Sequence, residues 1–190
     1  MTILTTDRLI LRRWREADRE PFARMNGDPR VMEFMPGVVS REVSDGWVDW
    51  IERHFEEHGF GLCAAELRSE AGSEPGTGDA FIGFVGLSVP AFHAHFTPCI
   101  EIGWRLRADC WGRGLATEGA RAIVRYAFDI LRVEELVSFT VPANVRSRRV
   151  MEKIGMTCDA RDDFDHPNLA EGHLLRRHVL YRLRGLGGGR

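Results

Sequence analysis

Residues 99–131, CIEIGWRLRADCWGRGLATEGARAIVRYAFDIL, decide the fold of this chain. A β-like run over 100–106 leads into a short loop with two glycines, and an amphipathic helix follows from near Thr117 to Leu131. Ala120, Ile123, Val124, Ala127 and Leu131 recur at the spacing of one buried helix face. The first N–H groups of a helix lack partners and lie at the positive end of its dipole. The layout therefore predicts an anion site, with a phosphate as its ligand.

The loop itself has the residue types that a phosphate cradle needs. Two glycines allow the backbone to approach a ligand closely, and the expected contact residues are Gly112, Arg113, Gly114, Leu115, Ala116 and Thr117. The alternative is a structural loop whose glycines only turn the chain. A dinucleotide-binding GxGxxG loop is a weaker match, because Thr117 occupies the third glycine position and the motif lies far from the first strand.

The same segment resembles the acetyl-CoA-binding motif of the GCN5-related N-acetyltransferase (GNAT) superfamily. Arg113 to Ala116 match the last four places of that motif, whereas Trp111 departs from its usual first residue. The departure is similar to the branch of ribosomal-protein N-terminal acetyltransferases (RimJ/RimL-like). Other stretches also resemble this branch: TDRLILR at 6–12, EIGW at 101–104, WGRGLATEGA at 111–120, Asn144, Ser147 and EKIGM at 152–156.

The element order predicted along the chain is β-α-α-β-β-β-α-β-α-β-β, which agrees with the order the resemblance implies. Predicted strands cover 8–14, 62–67, 81–89, 100–106, 135–141, 158–164 and 174–183, and predicted helices cover 17–25, 40–58, 117–131 and 144–154. Ser40 and Gly155 are the candidate caps. The fold class is thus α/β, a mixed and mostly antiparallel sheet flanked by helices. We expect one N-acetyltransferase domain over 1–184, a mobile hairpin tip at 69–79 and a disordered tail at 185–190.

The amino-acid composition of the chain limits the classes of partner that it could bind. With 190 residues, 44% apolar residues and a net charge of −2, the chain suits a soluble domain and lacks the positive charge of a nucleic-acid-binding protein. No apolar run approaches the length that spans a bilayer. The four cysteines are scattered without a CxxC pair, so a cytoplasmic location and no structural metal are expected.

Glu101 is the candidate general base, because it is a carboxylate within an otherwise apolar strand and matches the glutamate of the branch's EIG motif. An amine with a pKa near 10 must lose a proton before it attacks a thioester, and a carboxylate can accept that proton directly or through water. The alternative is a solvent-facing glutamate paired with Arg105 or Arg107.

Most of the other site residues follow from the resemblance, whereas Arg149 follows from its place in a cluster of positive charge. Trp104, Arg105 and Leu106 would bond the pantetheine arm at the strand edge, and Asn144 would contact pantetheine, cap its helix, or both. Met151 occupies the place of the tyrosine acid of many members, which leaves Ser147 as the candidate partner of the leaving sulfur, or simply a capping residue. Arg149 would clamp coenzyme phosphates within a basic cluster, unless Arg146, Arg148, Arg149 and Lys153 form only a solvated face.

The late histidines and aspartates match no known metal-ligand spacing. We interpret Asp163 to His166 and Glu171 to His173 as a mobile acidic loop beside the acceptor entrance, where carboxylates would suit a cationic amine.

These patterns together predict an acetyl-CoA-dependent N-acetyltransferase that acts on a primary amine by direct attack in a ternary complex. The amine belongs to a protein N-terminus or to a small molecule, and a homodimer is an assembly that the resemblance allows. A non-catalytic acyl-CoA sensor is the second hypothesis, favoured by Met151, and a nucleotide-dependent oxidoreductase is the third.

Overall fold

The computed structural model describes residues 1–68 and 80–185, so the predicted hairpin tip at 69–79 and the tail from 186 lie outside the described residues. The strands are β1 (Thr2–Thr5), β2 (Leu9–Arg12), β3 (Leu62–Leu67), β4 (Phe81–Ser88), β5 (Glu101–Leu106), β6 (Glu135–Thr140), β7 (Thr157–Cys158), β8 (Phe164–Asp165) and β9 (Arg177–Arg184). The helices are α1 (Arg19–Asn26), α2 (Arg41–His58), α3 (Leu115–Arg125) and α4 (Val145–Lys153). No helix in the described ranges has the length and apolarity to cross a membrane.

The strands form a mixed sheet in the order β1-β2-β3-β4-β5-β6-β9-β7, and β8 pairs with β9. Its pairs are antiparallel except β5 with β6, which run parallel. This arrangement confirms the predicted mixed, mostly antiparallel sheet. The parallel pair at its centre is the feature that positions the candidate site.

Helices cover both faces of the sheet, as two neighbouring residues of β4 demonstrate. The Phe84 ring packs against Phe22 of α1, with ring centroids 6.3 Å apart. The adjacent Val85 faces the opposite side, where a Cβ added to Gly119 of α3 would lie 3.2 Å from Val85 Cγ2. Glycine at position 119 thus lets α3 lie close against the sheet.

The structure differs from the predicted elements in three places. A short edge strand, β1, precedes the predicted first strand, and its four residues are too few to give a periodic signal. Helix α3 begins at Leu115 and not near Thr117, and a π-helical turn at Tyr126–Ile130 follows it. The predicted strand at 158–164 is divided into β7 and β8 by a 3₁₀ turn at Ala160–Asp162, although both pieces pair with β9 as expected.

Candidate functional site

The glycine loop joins β5 to the N-terminus of α3. Gly112 and Gly114 have φ angles of 73° and 78°, in the left-handed region that other residues rarely adopt. Gly114 directly precedes the helix and provides no side-chain cap. The N–H groups of the first helical turn therefore remain available to a ligand. This geometry suits an anion, as the sequence predicts.

A network from the β1–β2 turn holds this loop in place. Glu118 of α3 accepts hydrogen bonds from Thr6 Oγ1 at 2.6 Å, from the Arg8 backbone N–H at 2.9 Å and from Arg8 Nε at 2.6 Å. Arg8 also donates to the Arg113 carbonyl at 2.9 Å. Burial opposes ionisation of Glu118, but these donors lower its pKa below the ordinary value. The loop is thus anchored to the sheet by a charged bridge.

Strand β5 has an open edge beside the loop. It pairs with β4 over its whole length, but the described register with β6 contains only Glu101 with Val137. The Ile100 carbonyl accepts from the Val137 N–H at 2.9 Å. Because backbone groups alternate along a strand, the N–H and C=O of Trp104 face the same side, where β6 has diverged. That edge is free to bond an extended ligand.

The loop, the open edge and α4 surround a cavity of about 320 Å³. It brings together these residues predicted from the sequence: Trp104, Arg105, Leu106, Gly112, Gly114, Leu115, Ala116, Thr117, Asn144, Ser147 and Arg149. Arg113 is exposed and does not line the cavity. Glu101 also lies outside the lining.

The start of α4 explains the roles open to Asn144 and Ser147. Asn144 is the N-cap: its Oδ1 accepts from the Ser147 N–H at 3.2 Å, and its Nδ2 donates to Thr140 Oγ1 at 3.0 Å. The Ser147 hydroxyl has no partner among the described residues, so it is available to a ligand. Met151 is buried at 1% exposure and does not line the cavity. A proton donor at that position is therefore absent from the described site.

Glu101 lies in an environment that suits a base. Burial raises its pKa to about 7, and the Ser88 hydroxyl, which donates to Oε2 at 3.4 Å, opposes that rise. The alternative of an ion pair with Arg105 or Arg107 is wrong. Arg105 bonds Asn26 and Met35, and Arg107 pairs with Asp109 at 2.5 Å.

The four basic residues of the α4 cluster make different contacts. Arg149 and Lys153 line the cavity and form no ion pair with a described residue. Arg146 also lines it, but its guanidinium lies 4.5 Å from the Trp111 ring and pairs with Glu33 at 2.6 Å. Arg148 bonds the Tyr181 hydroxyl at 3.2 Å and does not line the cavity. The predicted phosphate clamp is thus restricted to part of the cluster.

The late acidic loop is mostly neutralised within the chain. Asp163 and Asp165 pair with Arg177, at 3.9 Å and 3.5 Å, and Asp162 pairs with Arg182 at 2.7 Å. No group of three or more His, Cys, Asp and Glu side chains in the described ranges could hold a metal ion. These ion pairs make Asp163 and Asp165 less suited to attracting a cationic amine, whereas Glu171 pairs with no described residue.

Several residues that shape the site have no local sequence signal. Thr6, Arg8 and Glu118 belong to segments that resemble the family, but no pattern predicts that they bond one another. Arg30, Val31 and Phe34, from the segment between α1 and α2, also line the cavity. Asn26 has no sequence signal of a site residue, yet it is fully buried and accepts a hydrogen bond from Arg105.

Comparisons with known proteins agree with this geometry. The sequence model of the acetyltransferase (GNAT) domain matches residues 8–157. The uncharacterized protein YkkB of Bacillus subtilis is 34% identical over 82% of this chain and 85% of its own length. The uncharacterized N-acetyltransferase YnaD of the same organism is 30% identical over 80% and 81%.

Solved structures share the fold. An acetyltransferase from Agrobacterium tumefaciens has a TM-score of 0.72 and 28% identity, covering 95% of this chain and 93% of that one. RimL, a ribosomal L7/L12 α-N-protein acetyltransferase solved with coenzyme A, has a TM-score of 0.71 at 13% identity, covering 97% and 98%. The glycine loop, the split between β5 and β6 and these matches lead to one conclusion: the chain belongs to the GNAT family of acetyltransferases.

Proposed function

We propose that this acetyltransferase moves the acetyl group of acetyl-CoA to a primary amine by direct attack in a ternary complex. The observation that carries the proposal is the arrangement along β5. Its carboxyl end leads to the free N–H groups of α3, its open edge faces the divergence from β6, and Glu101 occupies its other end.

Each part has a role in the reaction. The first turn of α3 binds the coenzyme diphosphate through backbone N–H groups, and Arg149 adds a cation. The Trp104 edge bonds the pantetheine arm and polarises the thioester carbonyl. Asn144 orders the start of α4 and thereby places Ser147 beside the arm.

The chemical step needs one base. Glu101 accepts a proton from the bound ammonium, directly or through water, and the neutral amine then attacks the carbonyl carbon. The new C–N bond forms, the C–S bond breaks, and coenzyme A leaves as a thiolate that the Ser147 hydroxyl stabilises. The second proton lost by the nitrogen restores the thiol, so the products are an amide and free coenzyme A.

The structure favours an enzyme over an acyl-CoA sensor because of the Glu101 carboxyl. A sensor has no need of a partly buried carboxylate whose pKa lies near neutrality, and such perturbed groups concentrate at catalytic sites. The oxidoreductase hypothesis is wrong, since the matched family and the mostly antiparallel sheet differ from a dinucleotide fold.

The decisive experiment combines acetyl-CoA binding by calorimetry with thiol release on a panel of amines. We expect binding to the wild-type protein and thiol release with at least one amine. The E101Q variant should bind acetyl-CoA as tightly but release thiol far more slowly. Tight binding with no release on any amine would support the sensor instead, and a failure to bind acetyl-CoA would contradict both hypotheses.

The setting of the reaction is also part of the proposal. Four cysteines without disulfides, Cys63, Cys99, Cys110 and Cys158, fit a reducing cytoplasm. The acceptor is a protein N-terminus or a small molecule, and the cofactor requirement is acetyl-CoA without a metal. Sedimentation of the purified protein tests the homodimer.

A further inference from the structure

Arg105 is a partly buried cation whose neighbours are all neutral. Its Nη1 donates to Asn26 Oδ1 at 3.0 Å and its Nη2 to the Met35 sulfur at 3.5 Å. Its Cζ lies 5.3 Å from the Trp47 ring and 5.5 Å from the Phe84 ring. Desolvation lowers the pKa of Arg105 to about 10, so it stays charged at neutral pH. The guanidinium is held firmly but not neutralised.

The contrast with Arg12 makes this arrangement informative. Arg12 is also buried, and it pairs with Asp18 at 2.6 Å and Glu66 at 2.7 Å. Arg105 has no carboxylate within ion-pair distance in the described part of the chain. A buried charge is costly unless a partner compensates it. Within the described residues, Arg105 therefore lacks the kind of carboxylate partner that Arg12 has.

Asn26 fixes the Arg105 guanidinium in its position. The Asn26 side chain is fully buried, and its Nδ2 donates to Ser44 Oγ at 2.9 Å, which leaves Oδ1 directed at Arg105. An arginine presents five N–H groups in a planar fork. The two bonds to Asn26 and Met35 leave the remaining N–H groups for a ligand in the cavity, which Arg105 lines.

The face of β5 between Arg105 and the candidate base Glu101 is open. Residues 101, 103 and 105 share one face of β5, because side chains alternate along a strand. A Cβ added to Gly103 would meet only Glu101 Oε1, at 3.9 Å. A carboxylate and a guanidinium thus flank a glycine whose face is empty, with about 13 Å between the two Cα atoms.

We propose that Arg105 binds a carboxylate of the acceptor, so that the substrate is an amino-acid-like molecule with an amine at Glu101 and an acidic group at Arg105. This inference rests on the proposed transfer to an amine. A guanidinium fork matches a carboxylate in a bidentate manner, which gives the acceptor both affinity and orientation. Coenzyme phosphates bind elsewhere, at the start of α3.

The test uses matched acceptors. We would measure kcat/KM for ω-amino acids with two to five methylenes between amine and carboxyl, each as the free acid and as the primary amide. The wild-type enzyme should prefer the free acid at least about tenfold for one chain length, since a charged hydrogen bond is worth that much or more. R105Q should lower kcat/KM for the free acid far more than for the amide, so that this preference is lost.

Two further variants separate recognition from folding. R105K keeps the charge but not the fork, so it should restore part of the preference for the free acid. R24Q removes an exposed arginine of α1 and should leave the preference unchanged. A purely structural role for Arg105 would lower the rates with acid and amide alike. Equal rates with acid and amide in the wild-type enzyme would overturn the proposal.

Binding measurements distinguish this proposal from the proposed function. The same ω-amino acids would be titrated by calorimetry into the protein saturated with coenzyme A. Binding to the wild-type protein and loss of binding in R105Q, without turnover of any amine, would reject the transferase but retain the carboxylate site. Absence of binding by every free acid, without any acid preference in turnover, would reject the carboxylate site itself.

Discussion

The pH dependence of the reaction rate should report the protonation state of Glu101. Desolvation destabilises the charged form of its carboxyl, and within residues 1–68 and 80–185 the Ser88 hydroxyl is the one side chain that bonds it. Cys99 interacts electrostatically with Glu101, and its own pKa is raised to about 11, so it stays neutral where Glu101 titrates. The pH profile near neutrality should therefore belong to Glu101.

We expect kcat to rise with pH through about 7 and then to level, because the base works only when deprotonated and its pKa is raised to that range. E101Q should lower kcat about 10²- to 10³-fold and remove this inflection. Steady-state rates from pH 5.5 to 9 test both points. S88A is a matched variant: it removes the hydrogen bond that opposes the shift, so its inflection should move above that of the wild type. An unchanged profile in E101Q would exclude Glu101 as the base.

The buried ion pairs of Arg12 predict a large effect of its replacement on the free energy of unfolding. R12M leaves buried Asp18 without its ion-pair partner and Glu66 with only the half-exposed Arg15 at 3.5 Å, and breaking such a buried pair costs about 3–5 kcal/mol. Urea unfolding at pH 7 should show this loss in the free energy of unfolding. R161A, which breaks the exposed pair of Arg161 with Asp159, should leave the urea midpoint unchanged. Equal effects of the two variants would contradict the assignment of Arg12 to a stabilising buried pair.

At the scale of elements, the bridge from the β1–β2 turn to α3 controls the shape of the glycine loop. Glu118 receives donors from Thr6 and Arg8, and Arg8 in turn donates to the Arg113 carbonyl. A further tie to the sheet comes from Trp111 Nε1, which donates to the Leu106 carbonyl at 2.8 Å. Coenzyme binding should therefore depend on residues that do not line the cavity.

E118A should weaken acetyl-CoA binding about tenfold, because the loop loses charge-assisted hydrogen bonds that hold its backbone in place. Calorimetric titration gives the dissociation constant, and kcat at saturating acetyl-CoA should change far less. E16A removes an exposed carboxylate that pairs with Arg19, away from the loop, and serves as the control. Unaltered affinity in E118A would mean that the loop is rigid without the bridge.

At the scale of the whole molecule, the charge around the cavity differs from the charge of the chain. The net charge is −2, yet the described residues that line the cavity include five cations, Arg30, Arg105, Arg146, Arg149 and Lys153, and no carboxylate. A positive field in a cleft attracts an anionic ligand and is screened by salt. The polyanionic end of acetyl-CoA should experience this field.

We expect the dissociation constant of acetyl-CoA to increase with ionic strength and R149Q to flatten that dependence. Titrations at 50 and 500 mM NaCl measure the effect, which should reach about threefold or more in the wild type. R125Q, an arginine outside the cavity lining near the end of α3, provides a matched control. The same salt dependence in R149Q and wild type would leave Arg149 as a solvated side chain.

Local patterns predicted much of this structure. The spacing of apolar residues located the helices. Short-range rules identified Ser40 as an N-cap and left that role open for Asn144, because a cap acts within three residues of itself. The glycine loop could be predicted in the same way, since its glycines and the following helix are adjacent in the sequence. These features need no knowledge of distant residues.

Contacts between distant residues could not be predicted in this way. The bond from Arg105 to Asn26 joins positions 79 residues apart, and the bonds from Thr6 and Arg8 to Glu118 span more than 100. The raised pKa of Glu101 depends on what the folded chain packs around it. Partners of this kind are set by the three-dimensional arrangement of the sheet, which a linear pattern does not contain.

Arg146 has a consequence for the order in which substrates arrive. This one side chain of α4 stacks over Trp111, pairs with Glu33 and lies 5.9 Å from the Phe34 ring, so it ties the glycine loop to the segment 28–36. Because Arg146 lines the cavity, we expect a coenzyme bound there to change these contacts and with them the position of segment 28–36. Kinetics should follow a compulsory sequence, coenzyme first and amine second, with free coenzyme A competitive only against its acetylated form.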